Sequence, residues 1–228
     1  MSDTITSLPK IGDPAPDFTA VTTQSANMKF SEWQGDDWAI LFSHPADFTP
    51  VCSTELVEFA RRAGEFAERK TKLIGLSVDS IHSHLAWLQN LRDKLGAEIP
   101  YPMIADVDTK VSQLYGMIHP GASATATVRA VFVIDPKRVI RAIVYYPMNI
   151  GRSVDEILRI TQALQTADEF ACATPVEWKP GDKVVVPPPK HVGEVAERMS
   201  HAGKDYEVKD FYLCMRDQPV KQSTASGN

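Results

Sequence analysis

The chain has 228 residues, enough for one sizeable domain with an appendage. Its net charge of −5 counts against nucleic acid or an anionic membrane surface as the main partner. Hydrophobic residues make up 43% of it, the balance of a soluble globular protein, and no apolar run reaches transmembrane length.

Residues 1–10 read as a polar lead-in, without the basic–apolar–small pattern of a secretion signal. Residues 11–18 are rich in turn formers, with Gly12, Pro14 and Pro16. Residues 19–31 read as a short strand pair. Ser31, Glu32 and Trp33 open a short turn that Gly35, Asp36 and Asp37 close. The apolar run Trp38-Ala39-Ile40-Leu41-Phe42 predicts a buried strand. A turn holding Pro45 and Pro50 follows, and then a helix predicted to run to about Lys70. Cys52, Leu56, Phe59, Ala60, Ala63, Phe66 and Ala67 recur at three- and four-residue spacing, which sets them on its inward stripe. Arg61, Arg62, Glu65, Glu68 and Arg69 then face outward.

Residues 72–78 predict a second buried strand, parallel to the first because a helix joins the two. Asp79 or Ser80 caps the next helix, with Ile81, Leu85, Leu88 and Leu95 on its buried face and Gly96 as its stop. Residues 101–104 read as an edge strand, 109–115 as a short helix, and 116–127 as a loop of small residues. Two apolar runs, 128–134 and 139–145, flank Asp135-Pro136-Lys137-Arg138 and predict a hairpin. Ser153 and Glu156 have the spacing of a capping box that opens a helix to about Phe170. The composition shifts after Pro175. Lys179-Pro180-Gly181-Asp182 and Pro187-Pro188-Pro189 mark loops, 191–199 a weak helix, and Phe211-Tyr212-Leu213-Cys214 an apolar segment before a polar tail. The expected plan is α/β, a thioredoxin-like fold over 1–174 with a small C-terminal arm over 175–228.

The three cysteines, Cys52, Cys172 and Cys214, are far apart and form no disulfide framework, so a reducing, cytoplasmic setting is expected. By residue type a lone cysteine is most often a packed core thiol. The place of Cys52 turns the reading toward chemistry, because open α/β sheets bind ligands at the carboxyl ends of their strands. In the first helical turn its sulfur lies among N–H groups without intrahelical partners, and these together with the macrodipole favour an anion by roughly 0.3–2 kcal/mol. Thiolate is that anion and the nucleophilic form of cysteine. Thr49, three residues earlier, can aim its hydroxyl at the sulfur or at an oxygen approaching it. Partial burial opposes the charge, so a cation is expected nearby. Arg129 begins a strand predicted antiparallel to the first two, at the edge where Cys52 sits. From spacing alone it reads either as that cation or as a surface charge.

Pro45-x-x-x-Thr49-x-x-Cys52 resembles the active-site motif of the peroxiredoxins. The wider string from Phe42 to Cys52 is more similar to the 1-Cys (mammalian-type) subfamily than to the typical 2-Cys one. The resemblance implies a thiol peroxidase that reduces hydrogen peroxide and organic hydroperoxides. Cys52 is then peroxidatic, supported by Pro45, Thr49 and Arg129. Arg152 matches a second family arginine, and His44 the histidine of the 1-Cys subfamily, which residue type alone leaves between packing and a substrate-side role. The resemblance implies no cofactor and no metal, an outside thiol reductant such as thioredoxin or glutathione, and a homodimer or a ring of dimers, with neither membrane nor nucleic acid as partner. Cys214 is similar to the C-terminal cysteine of archaeal members that form a disulfide with the peroxidatic one, and reads equally as a bystander; Cys172 reads as a bystander.

Other readings of the same residues carry less. A dithiol oxidoreductase wants C-x-x-C, and Glu55 stands three after Cys52. The phospholipid hydrolysis of some 1-Cys relatives is not carried over, since Asp37 and Ser31 occupy the positions of their serine and histidine. His82 and His84, two apart on a helix, share no face for a metal. Trp87 and Trp178 read as packing residues. A chaperone-like or sensing protein would tolerate Cys52→Ser, and a peroxidase would not.

Overall fold

The computed structural model describes residues 8–219; the start of the polar lead-in and the end of the polar tail lie outside the described residues. The chain divides into two compact units, one ending at Val154 and the other beginning at Asp155.

In the first unit, β1 (Thr19–Ala20) and β2 (Met28–Lys29) form the predicted strand pair, which is antiparallel. After α1 (Phe30–Gln34) come β3 (Trp38–Ser43), α2 (Pro50–Arg61), α3 (Ala63–Ala67), β4 (Thr71–Ser77), α4 (Ile81–Leu95), β5 (Met103–Ala105), α5 (Lys110–Leu114), β6 (Arg129–Ile134) and β7 (Ile140–Tyr146). These build one mixed sheet in the order β5-β4-β3-β6-β7. β3, β4 and β5 are parallel, as helical crossovers require, and β6 runs antiparallel to β3. This is the α/β, thioredoxin-like plan expected from the sequence.

Alternation along β3 divides its side chains between two faces. Ala39 and Leu41 join a core with Phe30, Ile74, Tyr115 and Phe132. Phe42 stacks on Phe59 of α2, ring centroids 4.4 Å apart, so α2 is fixed on the opposite face by an aromatic pair. The one-residue step from Leu41 to Phe42 switches faces and places α2 on the side of the sheet opposite that core.

The predicted helix 50–70 is two segments. Arg62 leaves the helical conformation (φ −102°, ψ 5°), and Gly64, a poor helix former, follows. The change of phase leaves Phe66 buried and Ala67 exposed. The buried face of α4 also differs from its reading. His84, Trp87 and Leu91 are buried, whereas Leu85 and Leu95 are about half exposed. The apolar pattern favoured the leucines, but His84 turns inward because hydrogen-bond partners await it there. Gly96 ends α4 in the left-handed conformation (φ 65°), as its stop position predicted.

The second unit holds α6 (Val154–Phe170), β8 (Val184–Val185), α7 (Val192–Ser200), β9 (Glu207–Asp210) and β10 (Leu213–Arg216). Its three short strands form an antiparallel sheet, β8-β10-β9, where the sequence showed only extended chain and an apolar segment. Strands of two to four residues are too short for an alternating pattern to register. Trp178 is buried and donates its Nε1–H to the Asp182 carbonyl, in keeping with a packing role.

Candidate active site

The carboxyl end of β3 is tied to the start of β6. Ser43 donates its hydroxyl to the Val128 carbonyl at 2.7 Å, and Thr127 donates to the carbonyl of His44 at 2.7 Å. The antiparallel register, Phe42 opposite Val131, therefore brings Arg129 to the edge where α2 begins. Thr49 is the residue before α2, in extended conformation, and Pro50 takes the first helical position, where no N–H is needed. Cys52 sits in that first turn, fully buried.

Arg129 reaches the sulfur: its Nη1 lies 3.3 Å from Cys52 Sγ. The same nitrogen donates to Glu55 Oε2 at 2.7 Å, while Nε and Nη2 donate to the Met148 carbonyl at 3.0 and 2.6 Å. Arg152 does not bond the sulfur. Its Nε and backbone N–H donate to Glu55 Oε1 at 2.9 and 2.7 Å, and its Nη2 to Oε2 at 2.7 Å. Its Nη1 donates to the carbonyls of Ser43 and Ala130, and its guanidinium lies 5.2 Å from the Phe42 ring centroid. Arg152 thus places Glu55, and Glu55 aims Arg129. Burial alone would raise the Glu55 carboxyl, but the charge and hydrogen bonds of Arg152, with the charge of Arg129, hold it below the ordinary carboxylate range.

Glu55 is the residue the sequence reading missed; there it served only to exclude a C-x-x-C motif. A glutamate three after Cys52 shares its helical face, and that spacing was the available signal. Two permanently charged guanidiniums around one carboxylate leave an excess positive charge in a buried site. That charge stands beside the sulfur, with Arg129 Nη1 3.3 Å from Cys52 Sγ.

Thr49 donates its hydroxyl to the Ala46 carbonyl at 2.8 Å. The proton is committed there, so the oxygen is left as an acceptor rather than as a donor to sulfur. Pro45 is buried in the same loop. Phe48, between Asp47 and Thr49, adopts φ 53°, a left-handed conformation that costs a bulky residue of order 1–3 kcal/mol unless its surroundings impose it.

His44 is fully buried and bonds Asp47, Nε2 to Oδ1 at 3.0 Å; its Nδ1 has no partner among the described residues. Asp47 also holds His84, whose Nδ1 lies 2.8 Å from Oδ2. Asp47 and His84 were missed as site residues as well, and unlike Glu55 they carried no spacing signal to Cys52. His44, Asp47 and Asp79 place ligand-type atoms within 4.8 Å of one another. Hydrogen bonds from both histidines to Asp47, and from Ser77 and the Asp47 N–H to Asp79, already engage those carboxylates. Cys214, in the second unit, is fully buried in β10, with its S–H directed at the carbonyls of Asp210 and Phe211. Cys172 is half-buried, and burial pushes its thiol up.

Comparison with known proteins gives one consistent picture. The sequence profile of the AhpC/TSA family matches residues 11–143, and that of the C-terminal domain of 1-Cys peroxiredoxin matches 163–200. A peroxiredoxin of Aquifex aeolicus is 48% identical over 222 residues, covering 93% of this chain and 98% of that protein. One of Methanosarcina mazei is 46% identical over 220 residues, covering 94% and 100%. The solved yeast mitochondrial 1-Cys peroxiredoxin superposes with a TM-score of 0.82 at 38% identity, covering 92% of this chain and all of that one. Peroxiredoxin 6 of Arenicola marina, solved as a cysteine-to-serine mutant, gives 0.82 at 36%, covering 92% and 98%.

Proposed function

The chain belongs to the AhpC/TSA family and is a peroxiredoxin, a thiol-dependent peroxidase; from that premise we propose how its own residues divide the work. Cys52 is the peroxidatic thiol. Its thiolate attacks the terminal oxygen of a hydroperoxide, an S–O bond forms, the O–O bond breaks, and the sulfur becomes sulfenic acid. The departing oxygen leaves as alkoxide or hydroxide and takes a proton to become alcohol or water. Arg129 holds the thiolate and meets the charge that develops on the oxygens, an electrostatic stabilisation that needs no rearrangement. Thr49 accepts the hydroperoxide O–H and so orients the molecule. Pro45 shapes the loop that carries Thr49. Arg152 and Glu55 are positioning residues. The observation that carries this reading is the 3.3 Å approach of Arg129 Nη1 to Cys52 Sγ inside a buried cluster with an excess positive charge.

A thiol must then restore Cys52. The yeast relative is described as resolved through glutathione and thioredoxin systems, and we take a reductant of that class for this chain. Attack of the reductant thiol on sulfenic acid releases water and leaves a disulfide, which a second thiol reduces. Cys214 is a second route. Both sulfurs are buried, so a Cys52–Cys214 disulfide requires the first turn of α2 and the β10 strand to open. A reaction that consumes thiols fits a reducing cytoplasm. No described helix is long and apolar enough to cross a membrane. β7, at one edge of the sheet, is the surface we assign to pairing with a second copy in a homodimer, with a ring of dimers as the larger assembly.

Coupled peroxide consumption, with thioredoxin or glutathione as reductant, tests the assignment. Wild type turns over, Cys52→Ser loses turnover entirely, and Cys172→Ser keeps it. Full activity in Cys52→Ser would remove Cys52 from the chemistry.

A further inference from the structure

A second buried polar cluster lies in the first unit, and the chemistry above makes no use of it. Its centre is Asp47, in the strained loop between β3 and α2. Both ring nitrogens of His84 face oxygen acceptors. Nδ1 lies 2.8 and 3.1 Å from the two carboxylate oxygens of Asp47, and Nε2 lies 3.0 Å from the Ile104 carbonyl on β5. A bare nitrogen in either place would set lone pair against lone pair, so each carries a proton and the ring is an imidazolium. His44 is then the neutral member of the cluster: Nε2–H donates to Asp47, and Nδ1 is bare and buried.

We propose that His84 is a positioning residue of the peroxidase, a buried imidazolium that clamps the β3–α2 loop through Asp47 and fixes the tautomer of His44. The proposal rests on the reading that Thr49 and Cys52 act on the peroxide. The clamp fastens the loop on three sides. The Asp47 carboxylate is held by α4 through His84 and by the end of β3 through His44. The Asp47 N–H donates to Asp79 Oδ2 at 3.0 Å, and Ser77 holds that same oxygen at 2.6 Å. Phe48, the next residue, is the one with positive φ, and Thr49 follows it. Without the charge on His84, the loop loses the contact that imposes this conformation, and Thr49 loses its fixed place before Cys52.

The charged groups around the cluster agree with the assignment. Burial works to discharge His84, yet the hydrogen bond and charge of Asp47, the Ile104 carbonyl and the charge of Asp79 raise it above the ordinary histidine value. Burial pushes His44 down, with the charges of His84 and Arg152 adding to it and Asp47 opposing. Asp47 is held far below the ordinary carboxylate range: burial would raise it, but the two histidines more than offset this.

The test combines ring-nitrogen NMR of histidine-labelled protein with two rates measured against pH, Cys52 oxidation by hydrogen peroxide and Cys52 alkylation by iodoacetamide. Alkylation needs only the thiolate, so the ratio of the two rates reports peroxide positioning. The expected spectrum at pH 7 shows both nitrogens of His84 protonated and His44 bare at Nδ1. The ratio falls at least tenfold as pH rises through the His84 transition, with one midpoint for both, above that of free histidine. In His84→Gln the ratio is already low and does not vary with pH, when normalised to the folded fraction by circular dichroism. A His84 ring with a bare nitrogen at pH 7 overturns the proposal, as does a ratio unchanged in His84→Gln or insensitive to the His84 transition. Should His84→Gln not fold, the spectrum and wild-type pH profile decide alone. Absence of Cys52 oxidation in wild type would instead overturn the peroxidase assignment, while the spectrum would still report the clamp.

Discussion

Replacing Glu55 by glutamine separates a buried charge network from a decorative one. The substitution keeps the shape of the side chain and removes its charge, leaving Arg129 and Arg152 facing each other with side-chain exposures of 3% and 0%. Removing one partner of a buried ion pair costs about 3–5 kcal/mol, because the remaining charge is neither solvated nor paired. For a protein of this size each kcal/mol moves the melting temperature by about 2–4 °C, so Glu55→Gln is expected to melt roughly 6–20 °C below wild type. Acid behaviour gives a second reading. Glu55 is held below its ordinary value in the folded protein, so it adds stability above the unfolded carboxylate value of about 4.3, and this is lost as pH falls through the lower folded value. The Gln variant lacks that component, and its deficit against wild type narrows on acidification. Circular dichroism melts from neutral pH into the acid range measure both. Glu58→Gln, at the exposed Arg61 pair on the same helix, is the control and leaves the melt unchanged. A Glu55→Gln melt within 1–2 °C of wild type would refute the buried network and the excess charge inferred from it.

Other substitutions read the chemistry. Arg129→Gln removes the donor nearest the sulfur, and the rate of Cys52 oxidation in stopped flow is expected to fall about 10²–10³-fold, the scale for one preorganised donor at developing charge. Thr49→Val lowers that rate about tenfold through loss of one hydrogen bond, and Thr49→Ser restores it; equal rates for Val and Ser would remove the hydroxyl from the mechanism. Cys214→Ser abolishes any disulfide-linked species formed after peroxide and slows thioredoxin-supported turnover; unchanged turnover would leave resolution to external thiol alone.

The edge at which Cys52 and Arg129 meet was legible in the sequence for a physical reason, although spacing alone left Arg129 between a cation for the sulfur and a surface charge, and the family resemblance decided. A hairpin signal sets the direction of β6, direction sets the edge at which Arg129 emerges, and a proline-marked helix start sets Cys52 at the same edge. The charges that position them were not legible. Glu55, Asp47 and His84 are polar, and periodicity assigns polar residues to solvent; only the partners supplied by Arg152, Ile104 and the β3–α2 loop make their burial stable. The same cause misplaced the buried face of α4, where His84 and Trp87 displaced Leu85 and Leu95. The sheet of the second unit escaped notice because its strands are shorter than one alternation can mark.

The most direct test of the account is the intact mass of the protein after one equivalent of hydrogen peroxide, without reductant, with peptide mapping of the modified cysteine. Oxidation is expected to be confined to Cys52, either as one added oxygen or as a disulfide to Cys214 that Cys214→Ser converts to the added oxygen. A Cys52 left unmodified while peroxide disappears, or oxidation appearing first at Cys172, would contradict it.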